Sequence, residues 1–126
     1  MIPIAAIHAP AFAQVDLVRE RSCIAACESG GRALLIGKHG ERGLYQFKAS
    51  TWRDTTDLPF HDAFDRAKAS AAALKRLQWL SEQLEARGYL VTAYSLALAW
   101  KIGLDGQSTT VDLNYAQRVE NLYNAR

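Results

Sequence analysis

Residues 89–102 have almost no polar side. Ala93, Tyr94, Leu96, Ala97, Leu98, Ala99 and Trp100 would cover the whole circumference of a helix, and Gly103 follows as a stop. A helix that is apolar all round has to be enclosed by others. The chain is therefore expected to be mainly α, built around this one buried central helix. At 126 residues and 49% hydrophobic, it is one domain with enough apolar surface for a core without disulfide or metal staples.

The remaining segments supply the enclosing helices. Residues 14–28 read as a helix with Val15, Val18, Ile24 and Cys27 inward, Arg19, Glu20 and Arg21 towards water, and Asp16 in the first turn, where a carboxylate suits the helix dipole. Residues 64–84 carry Phe64, Ala67, Ala71, Leu74, Leu77, Leu80 and Leu84 at three- and four-residue steps, with Arg66, Lys68, Lys75, Arg76 and Glu82 on a solvated face and Gly88 as the end. Trp52 and Trp79 fall at core-compatible helical positions, and Tyr94 is a core residue or a cleft-floor residue. Ser50 is a candidate cap for a short helix, Pro59 marks a turn, and Asp112 is a candidate cap for a last helix that turns Tyr115, Val119 and Leu122 inward. Residues 1–13 are apolar and end in Ala11-Phe12-Ala13 before Gln14. They read either as an N-terminal arm or as residual signal peptide, and residues 14–126 as the domain.

One carboxylate stands apart from the charged helix faces. Glu28 closes the first helix and is followed at once by Ser29-Gly30-Gly31; Gly37, Gly40 and Gly43 then mark a small loop or hairpin leading to Leu44-Tyr45-Gln46-Phe47. Glycines tolerate the positive φ that helix ends and tight turns require. An acid at a helix end, near unpaired carbonyl groups and apolar walls, has its protonated form favoured. Beside a glycine-lined groove, it suits acid–base chemistry on an extended polar substrate. Glu41 lies in the same loop, either as a candidate second acid or as a surface charge paired with Arg42.

Several chemistries are disfavoured. The balance of 15 basic and 13 acidic residues has no basic block or stripe, so no nucleic-acid footprint is expected. The loop glycines are spaced too widely for a dinucleotide fingerprint, and no Gly-Lys-Ser/Thr follows. The two cysteines, Cys23 and Cys27, have no nearby histidine to complete a metal site and read as helix packing. No metal or cofactor is expected. His39 and His61 have no identifiable nucleophile to serve, and Ser29 lacks the strand–turn–helix setting of a hydrolase elbow. No run approaches the ~20 apolar residues of a membrane span.

Four motifs occur in order: Glu28-Ser29-Gly30-Gly31; Gly43-Leu44-Tyr45-Gln46-Phe47 with Ser50-Thr51; Ala97-Leu98-Ala99-Trp100-Lys101-Ile102-Gly103; and Tyr115-Ala116-Gln117-Arg118-Val119. Together they resemble the soluble lytic transglycosylase and goose-type lysozyme family, from about Gln14 to the end. The stretch from Cys27 through Phe47 to Trp52 is also similar to the resuscitation-promoting factors. The resemblance implies a lysozyme-like domain that cuts the β-1,4 bond between N-acetylmuramic acid and N-acetylglucosamine of peptidoglycan. By position, Glu28 would be a single catalytic group, acid then base. Ser29 would orient it or the substrate; Leu44 (through its backbone), Tyr45, Gln46 and Trp100 would meet sugar; Tyr115 would sit near the Glu28 carboxylate.

The chain departs from the family's Tyr-Asn-Ala at Trp100-Lys101-Ile102. Lys101 beside Glu28 would lower its pKa and oppose general-acid action; otherwise it points to solvent. Two alternatives accompany the transglycosylase reading. One is a lysozyme- or chitinase-type hydrolase that uses water with help from Glu41. The other is a catalytically silent domain that binds wall glycan. The substrate implies an extracytoplasmic site of action, periplasmic, secreted or in a phage particle.

Overall fold

The computed structural model describes residues 14–125; the reading of residues 1–13 as an arm or signal segment lies outside them. Five α-helices follow in order: α1 (Leu17–Ser29), α2 (Ala49–Thr55), α3 (Arg66–Ala86), α4 (Ala93–Ile102) and α5 (Thr110–Asn124), with a 3₁₀ turn at Phe60–Phe64 before α3. The fold is mainly α, as expected. Helix α4 packs on α1, α3 and α5, and Leu96 and Ala97 are fully buried at its centre. It is shorter than its apolar run: Thr92 and Ser95 form a reciprocal capping box that starts it at Ala93, and Tyr89 and Leu90 stay exposed outside it.

Helix boundaries follow side chains that satisfy free backbone groups. Asp16 is the N-cap of α1 and accepts from the Val18 and Arg19 amides. Gly30, at φ +62°, closes α1 with its N–H on the Ala26 carbonyl. Two expected caps are displaced. Lys48, without a side-chain hydrogen bond, occupies the cap position of α2, leaving Ser50 inside the first turn. Thr109 caps α5, and Asp112 returns the bond from the third helical position.

Inward faces differ from the expected ones where residue type conceals position. On α1, Glu20 is buried with Cys23 and Ile24, while Val18 is 51% exposed. The 20, 23, 24, 27 spacing is a regular helical stripe; the charge of Glu20 hides it from a hydrophobicity pattern. On α3, Ala69, Ala72 and Ala73 are inward instead of Ala67 and Ala71, because an alanine-rich run has no contrast to fix its rotation. Phe64 belongs to the 3₁₀ turn, Trp79 is exposed, and Leu122 on α5 faces largely outward.

Residues 30–48 form a compact loop with only isolated bridges, Ile36 to Arg42 and Arg42 to Phe47. The Arg42 guanidinium lies 4.3 Å over the Phe60 ring and 5.2 Å from the centre of Phe64, tying the loop to the 3₁₀ turn. Phe47 carries the loop into the core, edge-on to Trp52 at 5.0 Å and to Trp100 at 5.3 Å. Glycine loop, α2 and central helix are thereby packed about one aromatic cluster, beside the cleft described next.

Candidate active site

A cleft of about 650 Å³ runs between the end of α1, the glycine loop, α2, and the facing ends of α4 and α5. Glu28 lines it from the last turn of α1, and its side chain is only 9% exposed. Burial pushes the Glu28 carboxyl above the usual carboxylate range. The Lys101 ammonium, 3.6 Å from Oε1, pulls it back but does not reverse the shift. The Tyr115 hydroxyl is buried without full hydrogen-bond geometry to any partner, yet faces the same carboxylate closely enough to favour its charged form. The sequence-based concern about Lys101 is therefore half met: the cation does sit beside Glu28, and desolvation outweighs it.

Glu41 lines the same cleft. Its own backbone N–H and that of His39, which donates to Oε1 at 2.7 Å, hold it below the usual range. Arg42 is turned away onto Phe60 and Phe64, so the surface pairing with Glu41 is not formed. Two carboxyl groups thus share one cleft with opposite tendencies, Glu28 towards the protonated form and Glu41 towards the charged one. Gly37 makes room for this arrangement: a Cβ there would come 2.7 Å from Glu41 Oε1 and would collide with Gln46 Oε1.

Gln46 is fixed in the cleft wall by its backbone and both its amide hydrogens. It holds φ +52°, unusual for a residue with a side chain, and its Nε2 donates to the carbonyls of Leu35 at 3.1 Å and Gly43 at 3.0 Å. The side-chain oxygen is left to face Gly37 and the cleft. Such strain is characteristic of positioned functional groups. Trp100 also lines the cleft, half-buried, with its ring edge-on to Tyr45 and Phe47.

Ser29, Leu44, Tyr45 and Tyr115 are not among the residues that line the cleft, although Tyr115 does stand beside the Glu28 carboxylate as expected. Ser29 is buried; its hydroxyl donates to the Ala25 carbonyl and accepts from the Gly31 amide, so it shapes the helix end rather than reaching into the cleft. Leu44 and Tyr45 are core residues, and the Tyr45 hydroxyl bonds Ser70 of α3 at 2.8 Å. Tyr115 is buried beneath Lys101, whose Nζ lies 4.9 Å from the ring centre. Tyr94 packs against the core and does not line the cleft.

Lys48, Thr51, Arg76 and Asp112 also line the cleft, a role that the sequence reading assigned to none of them. Lys48 and Thr51 adjoin the Gln46 motif, which was the available signal. Arg76 had none, since it sits on what reads as the solvated face of an alanine-rich helix. Of the two loop histidines, His39 lines the cleft and His61 stacks edge-on with Phe64 outside it. Among the described residues no three His, Cys, Asp or Glu side chains converge as a metal site, and no helix is long and apolar enough to cross a membrane.

Residues 17–102 match the model of the family described as Transglycosylase SLT domain. The match runs from the first residue of α1 to the last of α4 and so takes in Glu28, the glycine loop and Trp100. Neither the comparison with curated proteins nor that with solved structures gave a significant match.

Proposed function

The chain belongs to the transglycosylase SLT domain family, a transglycosylase type that acts on peptidoglycan, and we propose that it is a lytic transglycosylase with Glu28 as its single acid–base catalyst. The bond cut is the β-1,4 linkage between N-acetylmuramic acid and N-acetylglucosamine. Glu28 gives its proton to the glycosidic oxygen as the bond to the muramyl anomeric carbon breaks, releasing the N-acetylglucosamine 4-hydroxyl. The resulting carboxylate takes the proton of the muramyl C6 hydroxyl, whose oxygen bonds to the anomeric carbon and closes a 1,6-anhydro ring. The carboxyl returns protonated, ready for another strand.

The observation that carries this reading is a nearly buried cleft carboxyl whose pKa burial raises even with an ammonium 3.6 Å away. A group that begins as an acid near neutral pH and then serves as a base requires that tuning. Lys101 and Tyr115 stand beside it to stabilise the carboxylate midway through the reaction. Trp100 offers an aromatic wall and Gln46 a fixed amide oxygen for sugar hydroxyls. The substrate places the site of action outside the cytoplasm, on the wall.

Glu41 supports a second reading. It lines the same cleft with its carboxylate held charged, so it is suited to activating a water for hydrolysis as in an inverting glycosidase. Digestion of purified peptidoglycan, with products identified by mass spectrometry, separates the two. We expect anhydro-muropeptides from the parent and a loss of about 10²–10⁴-fold in rate for Glu28→Gln. Reducing-end products, reduced further by Glu41→Gln, would replace transglycosylation with hydrolysis. Absence of cleavage, with retained sedimentation on peptidoglycan, would leave a wall-binding domain.

A further inference from the structure

We infer that Arg76 and Lys48 form a carboxylate-recognising subsite in the cleft, selecting glycan strands that carry acidic substituents over neutral ones. The inference rests on the glycan-cleaving reading above for the identity of the strand and adds which chemical group on it is read.

Three cations line the cleft: Lys101, Lys48 and Arg76. Lys101 is committed to Glu28. Neither Lys48 nor Arg76 makes an ion pair or a side-chain hydrogen bond among the described residues; Asp54 acts on Arg76, and Lys48 on Glu41, only through space. Arg76 is half-buried, and burial disfavours its charged form. A guanidinium taken partly out of water with five unused donors is costly, and native structures normally supply such groups with a partner. Its carbon lies 4.6 Å from the centre of the Trp79 ring, an aromatic contact that uses none of its hydrogen-bond donors in a conventional bond. An arginine with its donors unpaired can take a carboxylate through two parallel hydrogen bonds.

Among the described residues no acid of the cleft forms an ion pair with either of these two cations. Asp112 is engaged by the Thr109 amide and hydroxyl, both at 2.9 Å. Glu41 is engaged by backbone amides, and Glu28 in its working acid form is neutral. Lys48 and Arg76 are left without a directly paired carboxylate among the described residues. The carboxylate they would receive has two sources on a peptidoglycan strand: the peptide stem, or, on sugars without a stem, the free lactyl group of the muramyl sugar.

The test is equilibrium binding with Glu28→Gln protein, which holds strands without needing to cut them. The probes are three glycans of matched length: one with peptide stems, one stripped of peptide but retaining lactyl carboxylates, and a neutral chitin oligomer. Adding Arg76→Gln should weaken binding about tenfold for acidic glycan and leave the chitin oligomer unchanged, with Arg76→Lys intermediate. A loss confined to the stem-bearing glycan assigns the stem carboxylate; a loss confined to the stripped glycan assigns the free lactyl carboxylate; a loss on both shows a subsite that accepts either. Lys48→Gln, at an exposed position, should repeat the pattern on a smaller scale and serves alone if Arg76→Gln fails to fold. Equal losses on all three probes, no loss on any, or no binding by the starting protein would overturn the subsite. Acidic-glycan binding lost with Arg76, together with absence of cleavage by the protein that retains Glu28, would overturn the catalytic reading and keep the subsite.

Discussion

Lys101 and Glu28 set each other's behaviour at the residue scale. The ammonium lowers the Glu28 pKa against the stronger effect of burial, so Lys101 acts as a limit on how far the acid is tuned upward. Replacing it by methionine keeps a chain of similar length over the Tyr115 ring and removes the charge. The Glu28 pKa should then rise further, keeping the acid form populated to higher pH. The alkaline limb of the pH–rate profile should move to higher pH in Lys101→Met, with the acid limb little changed. A profile that keeps its limbs and only loses height would mean that Lys101 contributes through substrate contact instead. The different tendencies of Glu28 and Glu41 have the same local origin: one carboxyl is surrounded by protein and the other collects backbone N–H groups at the surface.

At the scale of elements, the glycine loop decides whether the cleft has a wall. Gly43 sits at φ +81°, and a Cβ there would run into the Ala63 carbonyl oxygen of the 3₁₀ turn. The same glycine donates its N–H to the Leu35 carbonyl at 2.9 Å and gives its own carbonyl to Gln46. Gly43→Ala should therefore cost roughly 3 kcal/mol, from left-handed strain and overpacking together, and should lower activity at temperatures where the protein is still folded. Thermal melts and activity at one low temperature check this; an unchanged melting point would mean that the 3₁₀ turn shifts without loss. This element was legible because glycines, a helix-end acid and Gln46 write backbone constraints directly into residue type. Helix α4 was legible for the same reason, its apolar run having only one stable surrounding. Arg76 and Glu20 were not: each is a charged residue placed where periodicity gives it no distinguishing mark, and only the packing of α3 and α1 reveals that one lines the cleft and the other is enclosed. Ser29 and Tyr45 show the converse. Their motif positions were plain, but whether a hydroxyl faces the cleft or another protein group depends on a rotamer that the motif does not specify.

For the whole molecule, the largest unpaired liability is Glu20. It is fully buried where α1 meets α5, both carboxyl oxygens lack hydrogen-bond partners, and burial, assisted by Glu120, pushes its pKa up to about 8. Cys23 and Cys27 on α1 and Tyr115 on α5 feel its charge. In the unfolded chain the same carboxyl titrates near 4.5. Below that pH it is protonated in both states, and its contribution to stability is fully present. Between about 4.5 and about 8 the unfolded chain releases the proton while the folded one retains it, so stability falls as pH rises through that window. A shift of this size corresponds to a loss on the order of 5 kcal/mol by the alkaline end, a large part of the stability of a small domain. The raised pKa of Glu28 gives the same sign, so the two contributions have to be separated by substitution. Urea unfolding at pH 5 and pH 8 should show the parent markedly weaker at pH 8 and the difference much smaller in Glu20→Gln, whose amide stays uncharged throughout. Glu28→Gln should remove a further, separate part of the slope. If Glu20→Gln retains the full pH dependence, the carboxyl is hydrated in solution and the α1–α5 contact admits water.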